Sequence, residues 1–264
     1  MIPRVEEGIP CISFYDGTYV GFLTTVYEIY HHGTSHLEGI LVEGGEVPLF
    51  GAQSIVITRL PDAEKVAAAF EKKCGKEAMR WMYRAFLSNE EGKEMKIFYF
   101  MKEGFKREKK IYTCRKEPWV QDILAMCREV GNEAEKFRGI LRFSELDDGM
   151  LYAVMKPDHH ILPLLAVHFQ KRFSQKRWAI YDKGRREAAI YENGHLFMGM
   201  VEQEDPQVRY SGSEEDFRRL WKNYYRHMGI EERRNPRERR NFLPKKYWGL
   251  LTEMEDPYNR SDLR

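Results

Sequence analysis

Apolar residues in this chain switch between two periods. After a short extended run at Cys11 to Phe14 and a turn at Tyr15-Asp16-Gly17, Phe22, Leu23, Val26, Tyr27 and Tyr30 recur at helical spacing. Residues 33–58 are glycine-rich and lean towards strand, with a turn at Gly44-Gly45 and a strand over Ser54 to Thr58. Beyond Pro61, Asp62 is placed to cap a helix carrying Val66, Ala67 and Phe70, which stops near Gly75. Helices are predicted over Glu77 to Leu87 and Glu91 to Met101. Lys102 to Lys116 reads as a basic loop, and Pro118 opens a helix continuing to about Val130.

From Gly139 the spacing changes. Ile140 to Phe143 and Leu151 to Met155, joined by Asp148-Gly149, predict a hairpin in which Arg142 faces away from Leu141 and Phe143. A helix over Ile161 to Phe173 carries Ile161, Leu164, Leu165, His168 and Phe169 on one stripe. Strands follow at Trp178 to Asp182, Glu187 to Tyr191 and Leu196 to Val201, with turns at Lys183-Gly184 and Asn193-Gly194. A last helix begins at Ser213 and places Phe217, Leu220, Trp221, Tyr224, Tyr225 and Met228 at its period. The expected fold is therefore α+β, with a helical N-terminal half and an antiparallel sheet with flanking helices in the C-terminal half. Length favours one elaborate domain over residues 1–264, open to subdivision into a mainly helical 1–135 and a sheet-containing, basic 136–264.

Charge changes the picture more than composition does. The totals nearly cancel, 43 Lys and Arg against 41 Asp and Glu, yet residues 1–70 carry a net −6 while 171–200 and 218–246 carry +4 and +8. An acidic front and a basic back imply a polarised surface. In the basic segments the cations sit among aromatic residues, the mixture that holds a phosphate backbone and stacks on bases. Arg172, Lys176, Arg177, Arg185 and Arg186 are the candidate phosphate contacts, joined by Arg233, Arg234, Arg237, Arg239, Arg240, Lys245 and Lys246. Trp178, Tyr181 or Tyr247 would stack on a base.

Other chemistry is sparse. Cys11, Cys74, Cys114 and Cys127 lack the spacing of a zinc or iron–sulfur site and read as buried thiols. His31-His32 and His159-His160 are neighbours that point apart, so no metal and no cofactor are expected. His168 and Arg172 share a helix face and could grip a phosphate, and Asp182 is expected to orient an arginine. Catalysis would have to use His168 with Asp182 or Glu135; no nucleotide fingerprint or nucleophile elbow accompanies them. No apolar run reaches the length of a membrane span and no signal segment opens the chain, so a cytoplasmic location without membrane contact is expected.

Long phrases in one register carry a resemblance. They are YDGTYVGFLTTVYEIY from Tyr15, YRAFLS from Tyr83, FRGILRFSELDDGMLYAVMKPDHHILPLLAVHFQKRF from Phe137, WAIYDKGRR from Trp178, and LWKNYYRHMGIEERRNPRERRNFLPKKYW from Leu220. In these the chain resembles a bacterial family of DNA-metabolism proteins linked to a radical-SAM partner. The family's domain of unknown function also occurs ahead of uracil-DNA-glycosylase-like domains. The resemblance implies a DNA repair or modification role with DNA and a radical-SAM protein as partners, and carries over no catalytic residues. The chain holds neither a glycosylase domain nor a radical-SAM cysteine triplet. Three readings follow: a DNA-binding accessory protein, an enzyme acting on a nucleobase or phosphodiester, and a protein-interaction module that docks its partner through Glu38, Glu43 and Glu46.

Overall fold

A computed structural model describes residues 11–32, 37–44, 52–202, 208–228 and 243–254. The chain divides into two compact units, Met1–Gly131 and Asn132–Arg264. The cluster Arg233, Arg234, Arg237, Arg239 and Arg240 lies outside the described residues, as does Glu46.

In the first unit β1 (Cys11–Tyr15) is the middle strand of a three-stranded sheet. It pairs in parallel with β2 (Leu37–Val42) on one side and β3 (Ala52–Ile55) on the other. All five β1 residues are buried, the pattern of a parallel strand covered on both faces. The helix α1 (Tyr19–His32) makes the crossover to β2 that a parallel pair requires. Three further helices, α2 (Leu60–Cys74), α3 (Lys76–Phe86) and α4 (Lys93–Arg107), complete the core around Phe22, Phe70, Met82, Phe100 and Met101.

Several local expectations are corrected here. The front half is helical but also holds this parallel sheet; the strand expected over Ser54 to Thr58 runs instead over Ala52–Ile55. Asp62 is not the cap of α2; it lies in the first turn, where its carboxylate meets Arg59 at 2.8 Å and Lys65 at 2.9 Å. The supposed basic loop after Met101 is helix as far as Arg107 and a 3-10 turn over Glu108–Thr113.

The long helix α5 (Pro118–Ile140) continues well past Val130, because Ala134 and Phe137 prolong its buried stripe at the same period. Ile140 therefore ends a helix rather than starting a strand, and β4 is only Ser144–Glu145. Arg142 is accordingly in no hairpin strand. Its guanidinium meets the buried Glu253 carboxylate at 2.8 Å, which also accepts from Trp221 Nε1 at 3.0 Å.

The second unit is built on a five-stranded sheet in the order β4-β5-β6-β7-β8, with β5 (Leu151–Met155), β6 (Trp178–Asp182), β7 (Glu187–Glu192) and β8 (His195–Met200). It is mixed rather than wholly antiparallel: β5 and β6 run parallel, because α6 (Leu162–Arg172) carries the chain back to the same end between them. The Asn193-Gly194 turn takes positive φ at both residues (52° and 82°), the conformation of a two-residue hairpin loop, and joins β7 to β8. The last long helix, α7 (Gly212–Met228), has the expected period, yet Phe217, Leu220 and Tyr224 are exposed. Among the described residues no helix is long and apolar enough to cross a membrane.

Candidate nucleic-acid interface

The basic residues singled out from sequence separate into three groups by what they touch. Arg185 belongs to the fold. It follows the buried β6 strand, and Asp182, with no exposed surface, accepts from the backbone N–H groups of Gly184 and Arg185 at 3.0 and 3.2 Å through Oδ1. Its Oδ2 accepts from the Arg185 guanidinium at 3.1 Å, and Arg185 also donates to the Pro157 carbonyl at 3.2 Å and to that of Asp158. Burial pushes the Asp182 carboxyl above its ordinary pKa, while Arg185 and the two N–H groups pull against it. Both carboxylate oxygens are thus engaged in the β6–β7 turn. Asp182 orients an arginine, as its neighbours in sequence imply, and has no bond to His168.

Arg177 and Lys246 are ion-paired. Arg177 meets Asp148 at 2.6 Å and Glu192 at 3.3 Å, and Lys246 pairs with Asp158. Arg172, Lys176, Arg186 and Lys245 form the remaining group, exposed to solvent.

The proposed stacking rings are corrected by burial. Trp178, with no exposed surface, lies stacked on Tyr191 at 5.6 Å, and Tyr181 is 2% exposed. Tyr247 is buried against Phe137 and donates its hydroxyl to Glu133 at 2.6 Å. A ring packed on both faces offers nothing for a base to stack on. β6 is the central strand and is buried along its whole length, which puts Trp178 and Tyr181, on opposite faces of the sheet, out of reach of solvent.

The C-terminal ends of α5 and α6 bring together a set that sequence spacing showed only in part. Glu135 and Arg138 lie three residues apart on α5 and pair at 2.6 Å. His168 and Arg172 lie four apart on α6. Burial lowers the His168 pKa first, and the charges of Arg138 and Arg172 lower it further, against a smaller opposing effect of Glu135. His168 Nε2 and Arg138 Nε are shielded from solvent and have no hydrogen-bond partner. Cations at both helix ends complement the negative end of each helix dipole.

Aromatic residues adjoin this set. Phe143 meets Phe169 and Phe173 edge-on at 5.0 and 5.3 Å, and the Arg172 guanidinium lies over the Phe173 ring at 5.7 Å. Phe143 and Phe173 are only partly buried, unlike Phe169. The basic–aromatic mixture is therefore real in space, with different aromatic members from those expected. Arg138 was missed because nothing in one sequence says which stretch of α5 faces α6, although its spacing from Glu135 was visible. Chemically, neutral imidazole and two guanidiniums can surround an oxyanion and supply N–H donors to it. Among the described residues no group of three or more His, Cys, Asp or Glu could hold a metal ion. Three of the four cysteines are buried, and Cys114 is partly exposed.

Comparison with curated proteins gives no match, and comparison with solved structures gives none either. A family model, described as a domain of unknown function, matches residues 91–253, which begin just before α4 and include every residue of the α5–α6 set. That range is more than half of the chain, and the protein belongs to this family, DUF4130.

Proposed function

We propose that this protein binds DNA through the basic–aromatic face at the ends of α5 and α6, as an accessory to a separate radical-SAM enzyme in DNA repair or modification. The observation that carries the reading is that Arg138 Nε and His168 Nε2 are shielded and lack a hydrogen-bond partner, with the charges of Arg138 and Arg172 near enough to His168 to lower its pKa. A phosphate oxygen would supply acceptor lone pairs to these unpartnered nitrogen atoms, beside the one carboxylate, Glu135, that already pairs with Arg138. Exposed Lys176, Arg186 and Lys245 would add unspecific attraction, and the edges of Phe143 and Phe173 would give bases an apolar surface. The resemblance to DNA-metabolism proteins across Phe137 to Phe173 supports the same assignment, since that stretch contains Arg138, His168 and Arg172. The radical-SAM partner rests on that resemblance.

The test is a salt titration of the full chain against labelled single-stranded and duplex DNA. Binding should weaken steeply with salt, and Arg138→Ala with Arg172→Ala should flatten the log–log slope by roughly 2, about one per lost phosphate contact. Absence of binding at low salt, or an unchanged slope in the double variant, would remove the reading. The partner is tested separately by co-purification with the radical-SAM protein. Charge reversal at the exposed Glu38 and Glu43 should abolish that association without altering DNA binding.

A further inference from the structure

A second candidate site lies in the other unit and does not depend on the DNA reading. Helices α1, α2 and α4 line an open cavity of about 440 Å³, within the range of small-molecule pockets (roughly 300–1,000 Å³). Its walls are mostly aromatic. Tyr27 and His31, four residues apart on α1, lie with ring centroids 4.0 Å apart, and Tyr30 meets Phe105 of α4 edge-on at 5.6 Å. From α2, Lys65 sets its ammonium 5.2 Å from the Tyr27 ring centre, and Ala69 lines the same cavity with its small side chain.

Charge at the rim is balanced, which restricts the occupant. Lys65 pairs with Asp62 at 2.9 Å, Asp62 also meets Arg59 at 2.8 Å, and Arg59 pairs with Glu28. Two cations facing two carboxylates leave no excess field for an anion. Yet the cavity is not wholly apolar: Tyr27, Tyr30, His31 and Lys65, all of which carry a polar group, are among its lining residues. A hydrocarbon would use only the apolar walls and leave these groups to water. A flat, neutral molecule with a polar edge meets both requirements: its faces pack on the rings, and its edge bonds to the polar groups.

We propose that this cavity binds a nucleobase. The base stacks against the Tyr27–His31 and Tyr30–Phe105 walls, and its edge meets the Lys65 ammonium and tyrosine hydroxyls. Any attached sugar and phosphate remain outside. The base could come from a free nucleoside or from a strand that presents it unstacked.

The full chain is titrated with adenosine, guanosine, cytidine and thymidine, following its aromatic ring resonances by NMR. Nucleosides lack phosphate, so this measurement is blind to the cationic face, and its failure is distinct from failure of DNA binding. At least one nucleoside should bind at millimolar concentration or tighter and shift the Tyr30 and Phe105 rings. Ala69→Trp, at an exposed position of α2, should fill the cavity and weaken binding about ten-fold or more, the scale of one lost base stack. Arg138→Ala should leave it unchanged. No shift with any nucleoside, equal binding by indole or phenol, or unaltered binding in Ala69→Trp would each overturn the proposal. Competition by an intact single-stranded oligonucleotide but not by an abasic one would identify a strand as the source; no competition by either would identify the free nucleoside.

Discussion

The Tyr247 hydroxyl donates to the buried Glu133 carboxylate at 2.6 Å across 114 residues of chain. The same carboxylate accepts from the backbone N–H groups of Asp158 and His159 at 2.8 and 2.7 Å. One acid at the start of the second unit thus fastens both the loop before α6 and the C-terminal 3-10 turn. Tyr247→Phe removes one of three donors to a buried charge and should cost about 2 kcal/mol, read from urea midpoints. Glu133→Ala would leave two part-buried N–H groups and a buried hydroxyl unpaired and should cost more. Equal stability of Tyr247→Phe and the parent would show that the bond contributes nothing net.

Arg185→Ala should destabilise by about 3 kcal/mol at pH 7, since it leaves the fully buried Asp182 without its cation. The pH dependence has a definite sign. Burial holds the folded Asp182 carboxyl above its ordinary value of 3.8, so its contribution is complete below that value and is lost as pH rises through the folded pKa. Removing Arg185 raises the folded pKa further. The penalty of Arg185→Ala should therefore shrink on acidification, measurable as converging unfolding midpoints of variant and parent at acid pH. A penalty independent of pH would contradict this.

His168 should sense an arriving anion. Burial and the neighbouring Arg138 and Arg172 hold its pKa below the ordinary 6.5, so its stabilising contribution is complete above that value and is lost as pH falls through the folded pKa. His168→Gln should remove that part of the acid destabilisation. A bound phosphate reverses the electrostatics, and the His168 pKa should rise on adding DNA, with protons taken up and binding strengthened at lower pH. A ring titration unchanged by DNA would place the anion elsewhere.

Gly21 and Asp16 should behave as one unit. A Cβ on Gly21 would sit 2.1 Å from Asp16 Oδ1 and 2.8 Å from Thr58 Oγ1. The Asp16 carboxylate accepts from Thr18 N and Oγ1 at 2.9 and 2.7 Å and from Thr58 Oγ1 at 2.8 Å, holding the turn between β1 and α1. Gly21→Ala should cost upwards of about 2 kcal/mol by displacing that carboxylate, and much less in an Asp16→Ala background. Additive costs in the double variant would refute the close approach.

The sequence by itself determined the features that depend on neighbours along the chain. Strands β6 and β7 and helices α6 and α7 lie within a residue or two of expectation, because alternation, helical period and turn chemistry at Asn193-Gly194 are local signals. The role of Asp182 towards Arg185 was legible for the same reason: the two are three residues apart. Tertiary structure alone decided what lies between distant segments. It set the parallel pairing of β5 with β6 and of β1 with β2 and β3, and the continuation of α5 past Val130. It also buried Trp178, Tyr181 and Tyr247 while leaving Phe217 and Leu220 in solvent. Whether a cation meets a carboxylate or water was decided in the same way, so Arg177 is paired while Arg172 stands by His168. Charge and periodicity are properties of a segment, but burial and pairing are properties of the contacts it makes.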